Sequence, residues 1–121
     1  MSNLPASYVE GFHYVESVQK MKYQPLGRTG MAVSKLSFGA SSLGSVFRET
    51  NNLESIQVVH HAIKSGINYI DVAPWYGHGK AETVLGQSCV THYVIFQRCQ
   101  TVTSTGPAVC QLSLSLKNSS K

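Results

Sequence analysis

One stretch in the middle of the chain constrains the fold most, because a helix pattern passes directly into a strand pattern. The residues from Leu53 to Lys64 form an amphipathic helix pattern, with apolar side chains every three or four positions at Leu53, Ile56, Val59 and Ile63. Asn51 is predicted as the N-cap and Gly66 as the residue that ends the helix. The β-rich run Ile67–Val72 follows at once and predicts a strand.

A second strand candidate precedes this helix. Leu36–Gly39 is a short β-prone run that ends in the small residues Gly39, Ala40, Ser41 and Ser42. A strand, a helix and a strand joined by short connections form a βαβ unit with parallel strands, so the predicted fold class is α/β. Small residues at the carboxyl end of a strand leave room for a ligand, although the same run also fits an ordinary flexible loop.

A β-hairpin is expected before the βαβ unit. The runs Tyr23–Leu26 and Met31–Val33 flank the turn Gly27–Gly30, which has a glycine at each end. Glycine tolerates the positive φ that tight turns need. After the βαβ unit, Glu82 begins a second helix pattern, which Gly86 weakens.

The composition changes near residue 88 and divides the chain into three segments. All six acidic residues lie before residue 83, and all three cysteines lie after residue 88. We expect an irregular leader at 1–20, a structured part at 21–87 and a divergent Ser/Thr/Cys-containing tail at 88–121. Two β-like patterns lie in that tail, the apolar-rich run from Val90 to Phe96 and the alternating leucines Leu112, Leu114 and Leu116.

Several classes of function find little support. The net charge is only +4 and the basic residues are scattered, which argues against nucleic-acid binding. No window approaches the roughly 18 apolar residues of a membrane span, and the leader lacks the apolar centre of a signal peptide, so a cytoplasmic protein is expected. An odd number of irregularly spaced cysteines fits neither a disulfide framework nor a zinc site. His60 and His61 are adjacent on the helix and cannot share a metal ion, so no metal is predicted.

Asp71 and Tyr76 are the candidate residues for chemistry. Asp71 lies at the carboxyl end of the second predicted parallel strand, and Tyr76 lies five residues later in a loop rich in glycine. Ligands of parallel α/β folds bind at the carboxyl ends of the strands. Spacing alone nevertheless favours a structural role, in which Asp71 forms an Asx turn and Trp75 and Tyr76 pack the loop.

The order of residues along the chain shifts the interpretation of Asp71 and Tyr76 from a structural role towards a catalytic one. Lys22–Ser34 resembles the opening hairpin of the aldo-keto reductases, and Lys35–Gly39 resembles their first barrel strand. Gly66–Gly86 resembles the signature block of that family, which normally reads G-I-N-x-x-D-T-A-x-x-Y-G-x-G-x-S-E-x-x-L-G. Within the family, the chain is most similar to the L-galactose-dehydrogenase-like branch. This similarity lies in the residues Pro74 to Tyr76 and in the leader residues Tyr8 to Phe12.

This resemblance covers residues 8–87 and implies a fold and an activity. The fold is a (β/α)8 TIM barrel, of which this chain carries the hairpin and the first two βα units. The activity is that of an NAD(P)(H)-dependent oxidoreductase acting on aldehydes or aldose sugars, with an Asp, Tyr, Lys and His tetrad. Asp71 and Tyr76 match the first two members, and Gly39, Ala40 and Asp71 are expected beside the NADP or NAD cofactor. The small-molecule partner is then a carbonyl compound or a sugar.

The sequence also departs from the family pattern. Val72 stands where the pattern has Thr, and Ala81 stands where it has Ser. The expected catalytic lysine falls in the stretch Arg98–Gly106, which contains none, and His92 follows no matching motif. We therefore expect a truncated and inactive chain. The alternatives are a non-catalytic isoform that binds a partner or itself through exposed strand edges, and a non-functional fragment.

Overall fold

The computed structural model of the chain describes residues 4–90, 94–96 and 114–116. In chain order, its elements are the helix α1 (Val15–Lys20), the strands β1 (Tyr23–Pro25), β2 (Ala32–Ser34) and β3 (Phe38–Gly39), the 3₁₀ helix Ala40–Gly44, the helix α2 (Asn52–Lys64), the strand β4 (Ile70–Asp71), the helix α3 (Lys80–Val90) and the strands β5 (Val94–Phe96) and β6 (Leu114–Leu116).

The predicted hairpin is confirmed. Strands β1 and β2 are antiparallel, with Tyr23 opposite Ser34. The turn is closed by a hydrogen bond of 2.8 Å from the Leu26 N–H to the Met31 carbonyl. Gly27 and Gly30 have φ values of 52° and 77°, the left-handed conformation that favours glycine there.

The central helix is also confirmed, and α2 begins one residue before its predicted start. The Asn51 side chain accepts hydrogen bonds from the backbone N–H groups of Leu53 and Glu54, at 2.9 Å and 3.2 Å. Gly66 follows the helix with a φ of 105°. Both ends of α2 are therefore set by residues that the sequence already identifies.

The buried face of α2 differs from the prediction in its first turn. Leu53, expected in the apolar stripe, is 72% exposed, whereas Ser55 is buried with Val59 and Ile63. Ser55, Val59 and Ile63 are four residues apart and lie on one face. Leu53 points roughly 200° away from Ser55 at about 100° per residue.

The predicted βαβ unit forms, with shorter strands than expected. Strands β3 and β4 are parallel, with Phe38 opposite Ile70 and Gly39 opposite Asp71. Each strand has only two residues. Within the described residues this sheet has two strands, so neither strand has a second neighbour to extend its hydrogen bonding.

One core joins α2, α3, β4 and the 3₁₀ helix. Its buried side chains are Ala40, Leu43, Val59, Ile63, Ile70, Val72, Ala81, Val84 and Leu85. Phe12, Phe38, Ile56 and Tyr76 pack against this core from its borders. The core therefore holds the loops after β3 and β4 on the same side of the sheet.

The leader is not irregular throughout, which corrects the expectation for residues 1–20. Val15–Lys20 is the helix α1, and its Val18 is 1% exposed. The Tyr14 N–H donates to the Lys64 carbonyl at 2.8 Å and so attaches the leader to the end of α2. Burial of Val18 and packing of Phe12 against the core supply the stability that the short helix lacks by itself.

Within the described residues, part of each β-like pattern of the tail lies in a strand, β5 at Val94–Phe96 and β6 at Leu114–Leu116. Val90, where the first pattern begins, is instead the last residue of α3. Strands β5 and β6 pair antiparallel, with Val94 opposite Leu116. Helix α3 runs through residue 87 to Val90, so the boundary proposed at residue 88 falls inside a helix. His92, Cys99, Cys110 and Arg98–Gly106 lie outside the described residues.

The described segments give an α/β arrangement of three separate two-stranded sheets, and no closed barrel is formed by them. None of the helices in these segments combines the length and the apolar character that crossing a membrane requires.

Candidate functional site

Two of the predicted site residues meet at the carboxyl edge of the parallel sheet. Gly39 and Asp71 are the last residues of β3 and β4 and lie opposite each other. Gly39 is exposed and Asp71 is half-buried. The carboxylate of Asp71 has no hydrogen bond or ion pair to any residue that the structure describes, so the Asx turn is not formed within that part of the chain. Because Asp71 is only half-buried, its carboxylate stays partly open to solvent at this edge of the sheet.

The surroundings of Gly39 leave room for a ligand. Its φ and ψ of −88° and 115° are ordinary extended values that any residue adopts. A Cβ atom added to Gly39 would meet no atom within 4 Å. Neither the backbone nor the packing within the described residues therefore requires glycine, whereas close approach of a cofactor would.

Ala40 has a different environment from Gly39. It is 0% exposed and belongs to the core between the 3₁₀ helix and its neighbours. Its side chain presents no surface to a bound molecule in this structure. Of the two residues Gly39 and Ala40, Gly39 is therefore the one that borders the open edge of the sheet.

Tyr76 lies in the loop between β4 and α3. Its ring is half-buried and packs against the core, as the loop-packing alternative expects. Its phenol group has no hydrogen-bond partner among the residues that the structure describes. The neighbouring Trp75 does not pack the loop, because 80% of it is exposed.

The backbone at Gly44 lies directly against the backbone of Tyr76 and Gly77. The sequence does not predict this contact. A Cβ atom added to Gly44 would lie 2.6 Å from the Tyr76 carbonyl oxygen, and one added to Gly77 would clash with the Gly44 carbonyl oxygen. Gly77 also has a φ of 63°. The 3₁₀ helix after β3 and the loop after β4 are therefore in backbone contact. Gly77, a glycine of the signature block, is the one sequence signal for this contact.

A second link joins the residue after the 3₁₀ helix to the first residue of α3. The Lys80 ammonium donates to the Ser45 hydroxyl at 2.6 Å, and that hydroxyl is 3.0 Å from the hydroxyl of Thr50. Ser45 has a φ of 57°, an unusual value for a residue with a side chain. Sequence patterns do not reveal this link, because Lys80 and Ser45 are brought together only by the fold.

An open cleft of about 550 Å³ lies beside β3. Its walls come from β3, the 3₁₀ helix, the segment 47–51 and the first half of α2, and include Phe38, Phe47 and Val58. Arg48, Glu49 and Glu54 add charges of both signs. The size falls in the range of small-molecule sites.

The two departures from the signature block are core positions. Val72 and Ala81 are 2% and 0% exposed and pack in the central cluster. Both carry methyl groups where the pattern has hydroxyls, and both positions are apolar in this structure. These two departures from the pattern therefore remove neither of the candidate catalytic residues, Asp71 and Tyr76.

The two adjacent histidines make separate contacts. The His60 Nε2 atom donates to the Ser88 carbonyl at 2.7 Å, whereas the His61 ring lies 5.8 Å from the Tyr14 ring. Within the described ranges, no three His, Cys, Asp or Glu side chains come close enough together to hold a metal ion.

Comparison with known proteins gives a consistent set of relatives. The family model of the aldo/keto reductase family matches residues 35–111, which extends beyond residue 87.

L-galactose dehydrogenase of Arabidopsis thaliana is 35% identical over 86 residues, covering 66% of this chain and 27% of the relative. Pyridoxal 4-dehydrogenase of Microbacterium luteolum is 38% identical over 61 residues, 50% of this chain and 18% of the relative. D-threo-aldose 1-dehydrogenase of a Pseudomonas species is 40% identical over 57 residues, 47% of this chain and 17% of the relative. The chain thus spans about a quarter or less of the length of these curated relatives.

Proposed function

Because the chain belongs to the aldo/keto reductase family, we propose that it carries the first part of a nicotinamide-dependent oxidoreductase site. The proposed catalytic residues are Asp71 and Tyr76, and Gly39 and Asp71 border the cofactor. The proposed reaction is the interconversion of a carbonyl group and an alcohol on an aldehyde or an aldose sugar. The names of the relatives, which include a galactose and an aldose dehydrogenase, support this substrate class.

The observation that carries the proposal is the pairing of Gly39 with Asp71 at the carboxyl edge of β3 and β4. Open space in front of Gly39 and a carboxylate without a partner among the described residues suit a bound ligand at this edge. The NADH-specific methylglyoxal reductase of Escherichia coli, 34% identical over 71 residues, further supports a nicotinamide cofactor. A bound nicotinamide supplies or accepts the hydride.

Tyr76 serves as the proton donor in this proposal. During reduction, the carbonyl oxygen gains negative charge and takes a proton from the phenol group. A free tyrosine has a pKa of about 10, so efficient proton transfer near neutral pH needs a neighbouring cation. Asp71 would hold such a cation in place by an ion pair.

We further propose that the 121-residue chain alone has no such activity. Between Lys80 and Lys117 the sequence contains no lysine, so the expected stretch Arg98–Gly106 supplies no cation of that type. Lowering the pKa of a tyrosine from about 10 to about 7 requires roughly 4 kcal/mol of preferential phenolate stabilisation. Without a lysine in this stretch, a large part of that stabilisation is missing.

The test is an absorbance assay of NADH and NADPH oxidation with a panel of aldehydes and aldoses. We expect no turnover by the 121-residue chain. A hybrid that joins residues 1–87 to the remainder of a complete family member should be active, and Tyr76→Phe should lower its kcat by about 10²-fold or more. Tyr14→Phe is the matched control, since Tyr14 lies in the leader and should leave kcat unchanged. Turnover by the short chain that survives Tyr76→Phe would contradict the proposal.

A second candidate function is the binding of a protein partner without catalysis. It is favoured by the large apolar side chains that are exposed around the open cleft, of which Phe47 is 79% exposed and Val58 54% exposed. The parallel sheet β3–β4 also has only two strands among the described residues. Exposed strand edges and apolar surface are common features of sites for association.

A further inference from the structure

Lys80 carries a positive charge at the start of α3, four residues after the candidate proton donor. It is the first residue of that helix and is half-buried. Its ammonium donates to the Ser45 hydroxyl at 2.6 Å, a short hydrogen bond of the charge-assisted kind. Within the described residues the ammonium makes no ion pair, and this neutral hydroxyl is its one polar partner there.

Ser45 has a backbone conformation that glycine adopts more easily. Its φ of 57° and ψ of 31° are left-handed, and a residue that ends a helix in this way is usually glycine or asparagine. The serine hydroxyl makes contacts that glycine lacks. Besides the bond from Lys80, it lies 3.0 Å from the Thr50 hydroxyl and accepts the Thr50 N–H at 3.4 Å. The side chain therefore gives a reason for serine at a strained position.

The start of α3 also holds the backbone of Tyr76. The Ala81 N–H donates to the Tyr76 carbonyl at 3.3 Å, and the Lys80 N–H donates to the Gly77 carbonyl at 3.2 Å. From the other side, the 3₁₀ helix approaches the same carbonyl, because a Cβ atom added to Gly44 would lie 2.6 Å from its oxygen. A shift of the 3₁₀ helix relative to α3 would therefore move the backbone of Tyr76.

We propose that Lys80 is a positioning residue for Tyr76 and acts through the hydroxyl of Ser45. This inference rests on the proposed function, in which the Tyr76 phenol gives a proton to the carbonyl oxygen, and it adds a residue that places that phenol. The hydrogen bond from Lys80 holds the end of the 3₁₀ helix against the start of α3. Proton transfer needs donor and acceptor within hydrogen-bond distance, and a displacement of about 1 Å lowers the rate by up to about 10²-fold.

The first experiment follows the Tyr76 ring in the 121-residue chain, apart from any chemistry. The six tyrosines are replaced by 3-fluorotyrosine, and the ¹⁹F NMR signal of Tyr76 is the one that Tyr76→Phe removes. Lys80→Met should shift that signal, whereas Lys80→Arg, which retains a charged donor, should leave it near its original position. The signal of Tyr23, whose phenol donates to the Gly66 carbonyl at 2.7 Å, should stay in place in both variants.

The second experiment measures turnover by the hybrid enzyme. Lys80→Met and Ser45→Gly should each lower kcat by about tenfold or more and leave KM for the carbonyl substrate nearly unchanged. The double variant should lose no more than either single variant, because both remove the same hydrogen bond. Lys80→Arg should retain most of the rate. Lys20→Met is the matched control, because Lys20 is exposed at the end of α1 and loses the same charge.

Ser45→Gly separates positioning from a purely structural role. Glycine relieves the left-handed backbone, so a structural role of this residue predicts unchanged turnover, whereas positioning through the hydroxyl predicts its loss.

The proposal is overturned if the Tyr76 signal stays in place in Lys80→Met, if either Lys80→Met or Ser45→Gly keeps the full kcat of the hybrid, or if their effects add. An inactive unsubstituted hybrid would instead contradict the proposed function, and the ¹⁹F signal would still decide whether Lys80 positions Tyr76.

Discussion

At the scale of single residues, Asn68 shows how one side chain of the signature block connects distant segments. It is 8% exposed, and its Oδ1 atom accepts a hydrogen bond of 2.7 Å from the Ser34 N–H. Its Nδ2 atom donates to the Ala32 carbonyl at 3.0 Å and to the Ser7 hydroxyl at 3.1 Å. Asn68 therefore attaches both the hairpin and the leader to the segment that enters β4. In this structure its role is architectural, since it lies away from the carboxyl edge of the sheet.

The contact between Gly44 and the Tyr76 backbone leads to a prediction on stability. Gly44→Ala should destabilise the chain by about 2 kcal/mol or more, because a Cβ atom 2.6 Å from a backbone oxygen forces the two loops apart. Gly86→Ala is the matched control. Gly86 lies in α3 with no atom within 4 Å of an added Cβ, so alanine there should stabilise the helix by up to about 1 kcal/mol.

The measurement is the urea concentration at half-unfolding, followed by far-UV circular dichroism at one fixed protein concentration. Equal midpoints for Gly44→Ala and the unsubstituted chain would show that the close contact between the two loops is not maintained in solution.

At the scale of elements, the leader depends on contacts that it makes around His13. The His13 Nδ1 atom accepts a hydrogen bond of 3.0 Å from the Val9 N–H. The rings of Tyr8 and Phe12 lie 5.7 Å and 4.9 Å from the His13 ring. Partial burial lowers the pKa of His13 below its ordinary value of 6.5, because burial disfavours the charged form. A neutral ring is also needed for Nδ1 to accept the N–H of Val9.

This environment predicts how the stability of the leader depends on pH. Because the pKa of His13 is lower in the folded chain than in the unfolded chain, the unfolded chain binds more protons between the two values. The contribution of His13 is therefore fully present above about pH 6.5 and is lost as the pH falls through the folded pKa.

Limited proteolysis of the leader between pH 7.5 and pH 5 should show faster cleavage at the acidic end, measured with a protease of known pH profile. His13→Gln should reduce this dependence. His78→Gln should retain it, since His78 is exposed in the loop after β4. A dependence that is unchanged in His13→Gln would assign it to another group.

At the scale of the whole molecule, the described segments leave much apolar surface uncovered. Leu53 and Phe47 are 72% and 79% exposed, and both lie near the amino end of α2. The three sheets have two strands each, so strand edges are open within the described part of the chain. Uncovered apolar surface and open edges favour association, because each contact removes apolar area from water.

We therefore predict that the purified chain self-associates. Light scattering after size exclusion should give a mass above that of one chain, and the mass should rise with protein concentration. Leu53→Lys should lower the association, whereas Gln57→Lys is the matched control, because it adds the same charge at an exposed polar position of α2. A monomer that melts sharply and cooperatively in dilute buffer would contradict the prediction.

The sequence by itself determined those features that depend on neighbouring residues. The limits of α2 follow from Asn51 and Gly66, and the hairpin follows from Gly27 and Gly30, because caps and turns are local hydrogen bonds and backbone conformations. The meeting of Gly39 and Asp71 also follows from the sequence, since a right-handed βαβ unit brings the carboxyl ends of its strands to one edge.

The tertiary structure alone decided which of these residues are buried and which distant groups meet. Ser55 is buried in place of Leu53, and Ala40 is enclosed while its neighbour Gly39 stays open. The contact of Gly44 with Gly77 joins residues that are far apart in the chain, and so does the hydrogen bond from Lys80 to Ser45. Periodicity shows which faces of an element are apolar, whereas burial and long-range contacts depend on how the elements pack against each other.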